Sequence, residues 1–342
     1  MVAKKSFINL ITSLILASTL LVGCGAPVTP GDQGVNKPAA DKKQKLKIGI
    51  TQIVEHEALD AARNGFIDAL KSKGFIDGEN IEIDFQNAQG DGPTAQTIAQ
   101  NFVSQKKDLI LAIATPTAQA AFNATKDIPI LITAVTDPVA SGLAKAWEKS
   151  GTNVTGTSDA APMEKQFDLM KKLVPDVKKV GILYNTSESN SEIQVEQAKK
   201  IASKFGVEII TSGVTSTNDI PQSLDSLLGK IDVLYVPTDN LVVSAMPIIS
   251  AKCIEKKKPV ISAESGAVNK GALATEGIDY YKLGFQTGIA AVEVLNGKKP
   301  AEMPVTTLQD TSLVINETTA GKLGITIPAD LKSRAKMVKG GE

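Results

Sequence analysis

From residue 46 onward the chain alternates short β-branched runs with longer amphipathic ones, and this limits it to an α/β fold built on parallel sheets. Strands are expected at residues 47–51, 81–85, 108–114 and 128–135, and a second set at 179–184, 207–211, 231–236, 259–263 and 272–277. Runs such as "DLILAIA" and "IPILITAV" are apolar throughout rather than alternating. Strands of that kind are covered on both faces, as in a parallel sheet with helices above and below. Between them lie helices of 3.6-residue period: Leu59, Ala62, Phe66 and Leu70 form one stripe that must face a core. Strand, helix and strand in succession imply right-handed crossovers.

The two halves resemble each other. "IPILITAVTDPVASGLA" at 128–144 and "KPVISAESGAVNKGALA" at 258–274 both run proline, buried strand, polar corner, then glycine and Leu-Ala or Ala-Leu-Ala. "LAIATPT" at 111–117 and "VLYVPTD" at 233–239 both carry Pro-Thr where a strand ends. A chain of 342 residues is too long for one ordinary core, so two similar lobes are the economical arrangement.

Composition removes several functions. The 37 basic and 37 acidic residues cancel, leaving no field that would gather nucleic acid. With two cysteines and one histidine, zinc chemistry and histidine-based acid–base catalysis have almost no ligands to draw on, and no metal or cofactor is expected. Walker, G-x-S-x-G and H-E-x-x-H patterns are missing, so the chain is not expected to be an enzyme.

Residues 1–23 are expected to be an address rather than part of the fold. Lys4 and Lys5 precede an apolar stretch at 7–22 that is shorter than a spanning helix needs. It ends in "LVGC", which resembles a bacterial lipobox and implies cleavage before Cys24 with lipid on its sulfur. Residues 24–45, rich in Gly, Pro, Lys and Asp, are expected to be a flexible tether. Cys253 is then left without a disulfide partner.

In open parallel sheets a ligand binds beyond the carboxyl ends of the strands. Those ends here carry Gln52, Glu55 and His56; Thr115 and Thr117 around Pro116; Thr136 and Asp137; Asn185, Asn190 and Ser191; Thr238 and Asp239; Glu264; and Asp279 followed by Tyr280 and Tyr281. Any one of these can be a helix cap. Together, at one end of two sheets, they would line one cleft. Helix N-termini there suit a carboxylate, and Glu55, Asp137, Asp239 or Glu264 can take an ammonium, so a small zwitterion fits. As nucleophiles, Thr115 and Thr117 lack a neighbouring base.

The motifs "IATPTAQAA", "AVTDPVASGL", "YNTSESNS", "VPTDN", "ESGAVNKGALAT" and "GIDYYKLGFQTG" resemble the substrate-binding lipoproteins of ABC importers, in the group with tryptophan- and tyrosine-binding members. The resemblance implies a type I periplasmic-binding-protein fold, with two Rossmann-like lobes and three hinge crossings. Lobe 1 would hold 46–157 plus 279–306, and lobe 2 would hold 158–278 plus 307–342. It implies that Thr115 and Thr117, with Ser191, hold an α-carboxylate and that Asp239 meets the α-ammonium. Gln52, Glu55, Thr136, Asp137, Asn185, Asn190, Thr238, Glu264 and Asp279 would complete the cleft. The implied partners are an amino acid, an ABC permease with its ATPase, and the membrane through a lipid anchor, with the protein itself a monomer. A nucleoside or sugar ligand, or a sensor or adhesin role on the same fold, are the alternatives. Tyr184, Tyr235, Tyr280 and Tyr281 are the candidate ring partners for an aromatic ligand, whereas Trp147 is expected on a polar surface helix.

Overall fold

The computed structural model describes residues 45–160 and 162–340; the signal segment, Cys24 and nearly all of the tether lie outside them. The chain first lays down β1 (Leu46–Gln52), α1 (Glu57–Ser72), β2 (Ile81–Asn87), α2 (Gly92–Ser104), β3 (Leu109–Ile113), α3 (Thr115–Ala124), β4 (Ile130–Thr133) and β5 (Val154–Ser158). It then builds α4 (Met163–Leu173), β6 (Lys179–Asn185), α5 (Ser189–Ala202), β7 (Glu208–Val214), α6 (Ile220–Leu228) and β8 (Val233–Val236). Next come α7 (Asn240–Ser244), α8 (Met246–Glu255), β9 (Val260–Ser262), α9 (Ser265–Asn269) and β10 (Ala274–Gly277). Then α10 (Tyr280–Leu295) and β11 (Val305–Thr307) return to the first sheet, and β12 (Ser312–Asn316), α11 (Glu317–Leu323), α12 (Ala329–Arg334) and β13 (Lys336–Val338) finish the second.

One sheet has the order β11-β5-β4-β3-β1-β2 and the other β13-β12-β10-β9-β8-β6-β7. Every pairing is parallel except β10 with β12, which are separated in sequence by α10 and β11 and run antiparallel. The chain passes between the sheets at residues 159–162, 278–279 and 308–311. This is the type I periplasmic-binding-protein architecture.

All five residues of β3 are buried, because helices cover both faces of its sheet. The α1 stripe, Leu59, Ala62, Phe66 and Leu70, lies in the first core, and a side chain as large as Phe66, fully buried, contributes roughly 2 kcal/mol through burial. Helix α10 packs on α1 at backbone distance. A Cβ on Gly284 would intrude on the Ala62 carbonyl, and one on Gly65 would intrude on that of Tyr281. Two separate cores fill the second lobe, one on each face of its sheet.

Trp147 departs from expectation. It sits in irregular chain between β4 and β5, half-buried against the first core, and its carbonyl accepts from the Val305 amide at 2.8 Å. The run of glycine, serine and lysine around it does not sustain a helix, and β11 takes up its backbone instead.

Candidate functional site

The strand ends of the first lobe are turned sharply. Ala114 after β3 (φ 81°) and Ala134 after β4 (φ 56°) are both left-handed without being glycine, a conformation that persists only where the surroundings impose it. After β4 the chain presents Thr136, and Asp137 Oδ1 accepts from the amides of Val139 (3.0 Å) and Ala140 (2.9 Å), which holds that turn.

In the second lobe Asp239 caps α7. Its Oδ1 accepts from the Val242 amide at 2.9 Å, while Oδ2 accepts from the Asn185 amide at 2.5 Å and Ser191 Oγ at 2.7 Å. Beside it the buried Glu188 accepts from Asn185 and Asn190 Nδ2, each at 3.1 Å, and from Asn240. Burial, and next the Glu188 charge, push Asp239 up to about 7.

The lobes meet across these corners. Thr136 and Thr238 share a hydroxyl–hydroxyl bond of 3.0 Å, and Gln194 Nε2 donates to both. Gln119 of α3 reaches Ser189 of α5 at 3.3 Å. Two cavities lie along this seam. One, of about 80 Å³, is lined by Thr136, Asp159, Met163, Gln166, Gln194, Tyr235 and Thr238. The other, of about 10 Å³, is lined by His56, Ala134, Asp159, Asp239, Asn240, Glu264 and Tyr280. They share Asp159 and Thr238, so Asp159 stands between the two spaces.

Asp159 follows β5 on the first crossing. Tyr280 Oη donates to its Oδ2 at 2.7 Å, whereas Oδ1 is buried without a partner. Glu264, after β9, is 2% exposed and its Oε1 also lacks a partner. A buried carboxylate oxygen with nothing to accept from costs free energy and marks a place where an external donor fits. Burial raises Asp159, and burial together with the negative charges of Asp159 and Glu57 pushes Glu264 up to about 8. His56 Nδ1 lies 3.9 Å from Glu264 Oε1. Burial lowers His56 to about 4 against the opposing pull of Asn240 and Asp60, so the ring is neutral near pH 7 and the two do not form an ion pair.

Residues 47–339 match the family of ABC transporter substrate binding proteins. This chain belongs to that family. A tyrosine-binding protein of Clostridioides difficile is 53% identical over 93% of this chain and 92% of its own length. A Streptococcus pneumonia ABC domain in complex with L-Trp is 40% identical, covers 86% of this chain and 100% of its own, and superposes with TM-score 0.83. A ligand-free, open substrate-binding protein with adhesive properties from Clostridium difficile is 58% identical over 86% of this chain and 99% of its own, yet superposes with TM-score only 0.67. The more similar sequence has the less similar shape. With the seam contacts above, this places the substrate-binding protein described here in a closed arrangement of its lobes.

Of the residues picked out from sequence, Thr136, Thr238, Asp239 and Glu264 line the two seam cavities. Thr115 and Thr117 are buried at the start of α3 but line neither; Thr117 Oγ1 donates to the Ile113 carbonyl at 2.7 Å, and Thr115 Oγ1 is unpartnered. Gln52 is enclosed by its own lobe, donating to Asp60 Oδ1 and accepting from Arg63 Nη1. Asn185, Asn190 and Ser191 serve the Glu188 and Asp239 carboxylates, and Asp137 serves its turn. Glu55 lies on an outer cavity with Glu57 and Lys270, and Asp279 lies in a crevice by the crossings. Of the tyrosines, Tyr235 and Tyr280 line the seam, while Tyr281 is on the crevice wall and Tyr184 flanks the second lobe's core. Sequence reasoning missed Asp159, Gln166 and Gln194, and set His56 aside. The one signal for Asp159 was its place at the end of "VTGTSD", a strand too poor in large apolar residues to stand out.

Proposed function

We propose that this substrate-binding protein captures an aromatic amino acid between its lobes and delivers it, from outside the cytoplasmic membrane, to an ABC permease and its ATPase. It works as a lipoprotein anchored through Cys24, as a monomer, without cofactor or catalytic step. The observation that carries the reading is the seam between the lobes. There Tyr235 and Tyr280 flank cavities that hold buried polar atoms without partners, the setting in which a ligand with both a ring and a charged group gains most. The tyrosine-binding relative and the L-Trp complex support the same ligand class. The first turn of α3, with Thr115 and Thr117, remains the candidate holder of the ligand's carboxylate. Asp239 acts from beneath the site, bracing the second lobe's corner.

The test is a thermal-shift screen of the full chain against amino acids, nucleosides and common sugars. At about 100 times Kd a ligand stabilises by roughly 2.7 kcal/mol, a readily visible shift. Tyrosine, tryptophan or phenylalanine should shift the melting; a response to a nucleoside or sugar alone would reject the aromatic amino acid. Adhesion is a second role, favoured by the adhesive properties of the open relative, and host-cell binding by lipidated cells with and without this protein tests it.

A further inference from the structure

The two seam cavities have different walls. The smaller carries His56, Asp239 and Glu264, whereas the larger has apolar surface from Ala160, Met163, Ala263 and the ring of Tyr235. An aromatic ring gains by burial against such surface and gains nothing beside buried titratable groups, so the larger cavity is the place for it. Tyr235, in β8, is 1% exposed, and its ring packs on that of Phe167 at 5.5 Å between centroids and an angle of 57°. It is therefore held in place as a wall of the cavity and does not swing aside.

The polar end of this cavity has a fixed direction. Tyr235 Oη donates to Gln166 Oε1 at 2.5 Å, and burial pushes the phenol above its ordinary value, so it keeps its proton. Gln166 is also buried, on α4, and its Nε2 donates to the carbonyls of Glu276 at 3.3 Å and Ala263 at 3.5 Å. Turning the amide over would set its oxygen against both carbonyls, so the Gln166 oxygen must face Tyr235 and take its proton. A phenol that has given its proton away still has a lone pair, and no protein group donates to Tyr235 Oη across the cavity. The Gln166–Tyr235 end of the cavity therefore accepts a hydrogen bond and does not give one.

We propose that the Gln166–Tyr235 pair sets the specificity of the cleft by reading a hydrogen-bond donor on the ligand's ring, so that tyrosine, through its phenol O–H, and tryptophan, through its indole N–H, are preferred to phenylalanine. The inference rests on the ligand's place between the lobes under the proposed function, and it names the part of the ring that is selected. A phenylalanine ring displaces water from Tyr235 Oη and returns no hydrogen bond, whereas a ring with a donor replaces the one that water gave. Sites built to hydrogen-bond one group of a substrate reject the analogue that lacks it, because the buried partner is left unpaired. Gln166 acts here as a positioning residue: it turns the Tyr235 proton away from the cavity and leaves the lone pair facing the ligand.

The experiment is titration calorimetry on the full chain with tyrosine, 4-aminophenylalanine, phenylalanine and 4-fluorophenylalanine. The first two carry a donor at the far end of the ring, and the last carries a substituent there without one. Tyrosine and 4-aminophenylalanine should bind about tenfold or more tighter than the other two. Tyr235→Phe keeps the packing ring and deletes the acceptor, and it should shrink the tyrosine-to-phenylalanine affinity ratio by about tenfold. A purely structural role for Tyr235 would weaken both ligands alike and leave that ratio where it was. Phenylalanine or 4-fluorophenylalanine binding as tightly as tyrosine to the wild type would overturn the proposal, as would an unchanged ratio in the variant, and either result leaves the amino-acid function standing. The wild-type comparison decides the matter even where the variant does not fold. Failure of all four to bind would reject the proposed function and this inference with it.

Discussion

The hydroxyls of Thr136 and Thr238 meet at 3.0 Å across the seam, one from the turn after β4 and the other from the turn after β8. Gln194 of α5 donates to the same pair, so both lobes are fastened at one point beside the cavities. Ligand affinity then depends on how much of the protein is in the closed form. Thr136→Val removes the bond, worth about 1 kcal/mol net, and should weaken aromatic-ligand binding about fivefold by calorimetry. Small-angle scattering of the ligand-free variant should show a larger radius of gyration than the wild type; an unchanged radius and affinity would mean that this contact does not hold the lobes together.

The buried acids predict how stability follows pH. Glu264 is raised from its ordinary 4.5 to about 8 and Asp239 from 3.8 to about 7, so each contributes stability that is complete below its ordinary value and lost as pH rises through the raised one. His56, lowered from 6.5 to about 4, contributes stability that is lost as pH falls through that window. Between pH 4.5 and 6.5 the two trends oppose each other; from 6.5 to 8 only the acids remain in play. The melting temperature of the ligand-free protein should therefore fall over pH 6.5–8, and Glu264→Gln should flatten the fall. A wild-type melting temperature that rises over that range would contradict the burial of these carboxylates.

Asp239 is a brace and not a free acceptor, which changes what its removal does. Asp239→Ala deletes the α7 cap, costing about 1 kcal/mol, and strands the Asn185 amide and Ser191 hydroxyl in a buried corner. Urea denaturation should show a loss of about 2–4 kcal/mol, with Asp239→Asn intermediate. Binding would be impaired through the deformed corner. A variant as stable as wild type would restore Asp239 as a candidate contact for the ligand.

What the sequence made legible follows from burial. Strands β3, β4 and β9 are short apolar runs between turn residues, so their ends, and with them Thr136 and Glu264, were easy to place. Strand β5 reads VTGTS, with one large apolar residue, yet every position is buried because it pairs with β4 and β11. Gly156 is needed there at φ 137°, where a Cβ would strike the Ile132 carbonyl. Polar residues in a buried strand carry no periodic signal, so the crossing that β5 leads into, and Asp159 on it, stayed invisible. The roles of Gln52, Asn185, Asn190 and Ser191 were equally hidden. A polar corner looks the same in sequence whether it faces a ligand or satisfies a neighbouring carboxylate.

Helix α10 begins at Tyr280, whose hydroxyl holds Asp159, and its position is fixed by the close crossing with α1. Gly284→Ala places a methyl against the Ala62 carbonyl, which cannot yield without separating the helices, and such overpacking costs about 1–3 kcal/mol. Moving α10 also moves Tyr280 away from Asp159, so ligand affinity should fall together with stability. Gly321→Ala, in α11 with open space around the site and ordinary helical backbone, is the control and should be neutral or stabilising by about 0.5–1 kcal/mol. Urea midpoints and calorimetric affinities on the two variants test the link. If Gly284→Ala loses stability but binds ligand as wild type does, the α1–α10 crossing does not position the site.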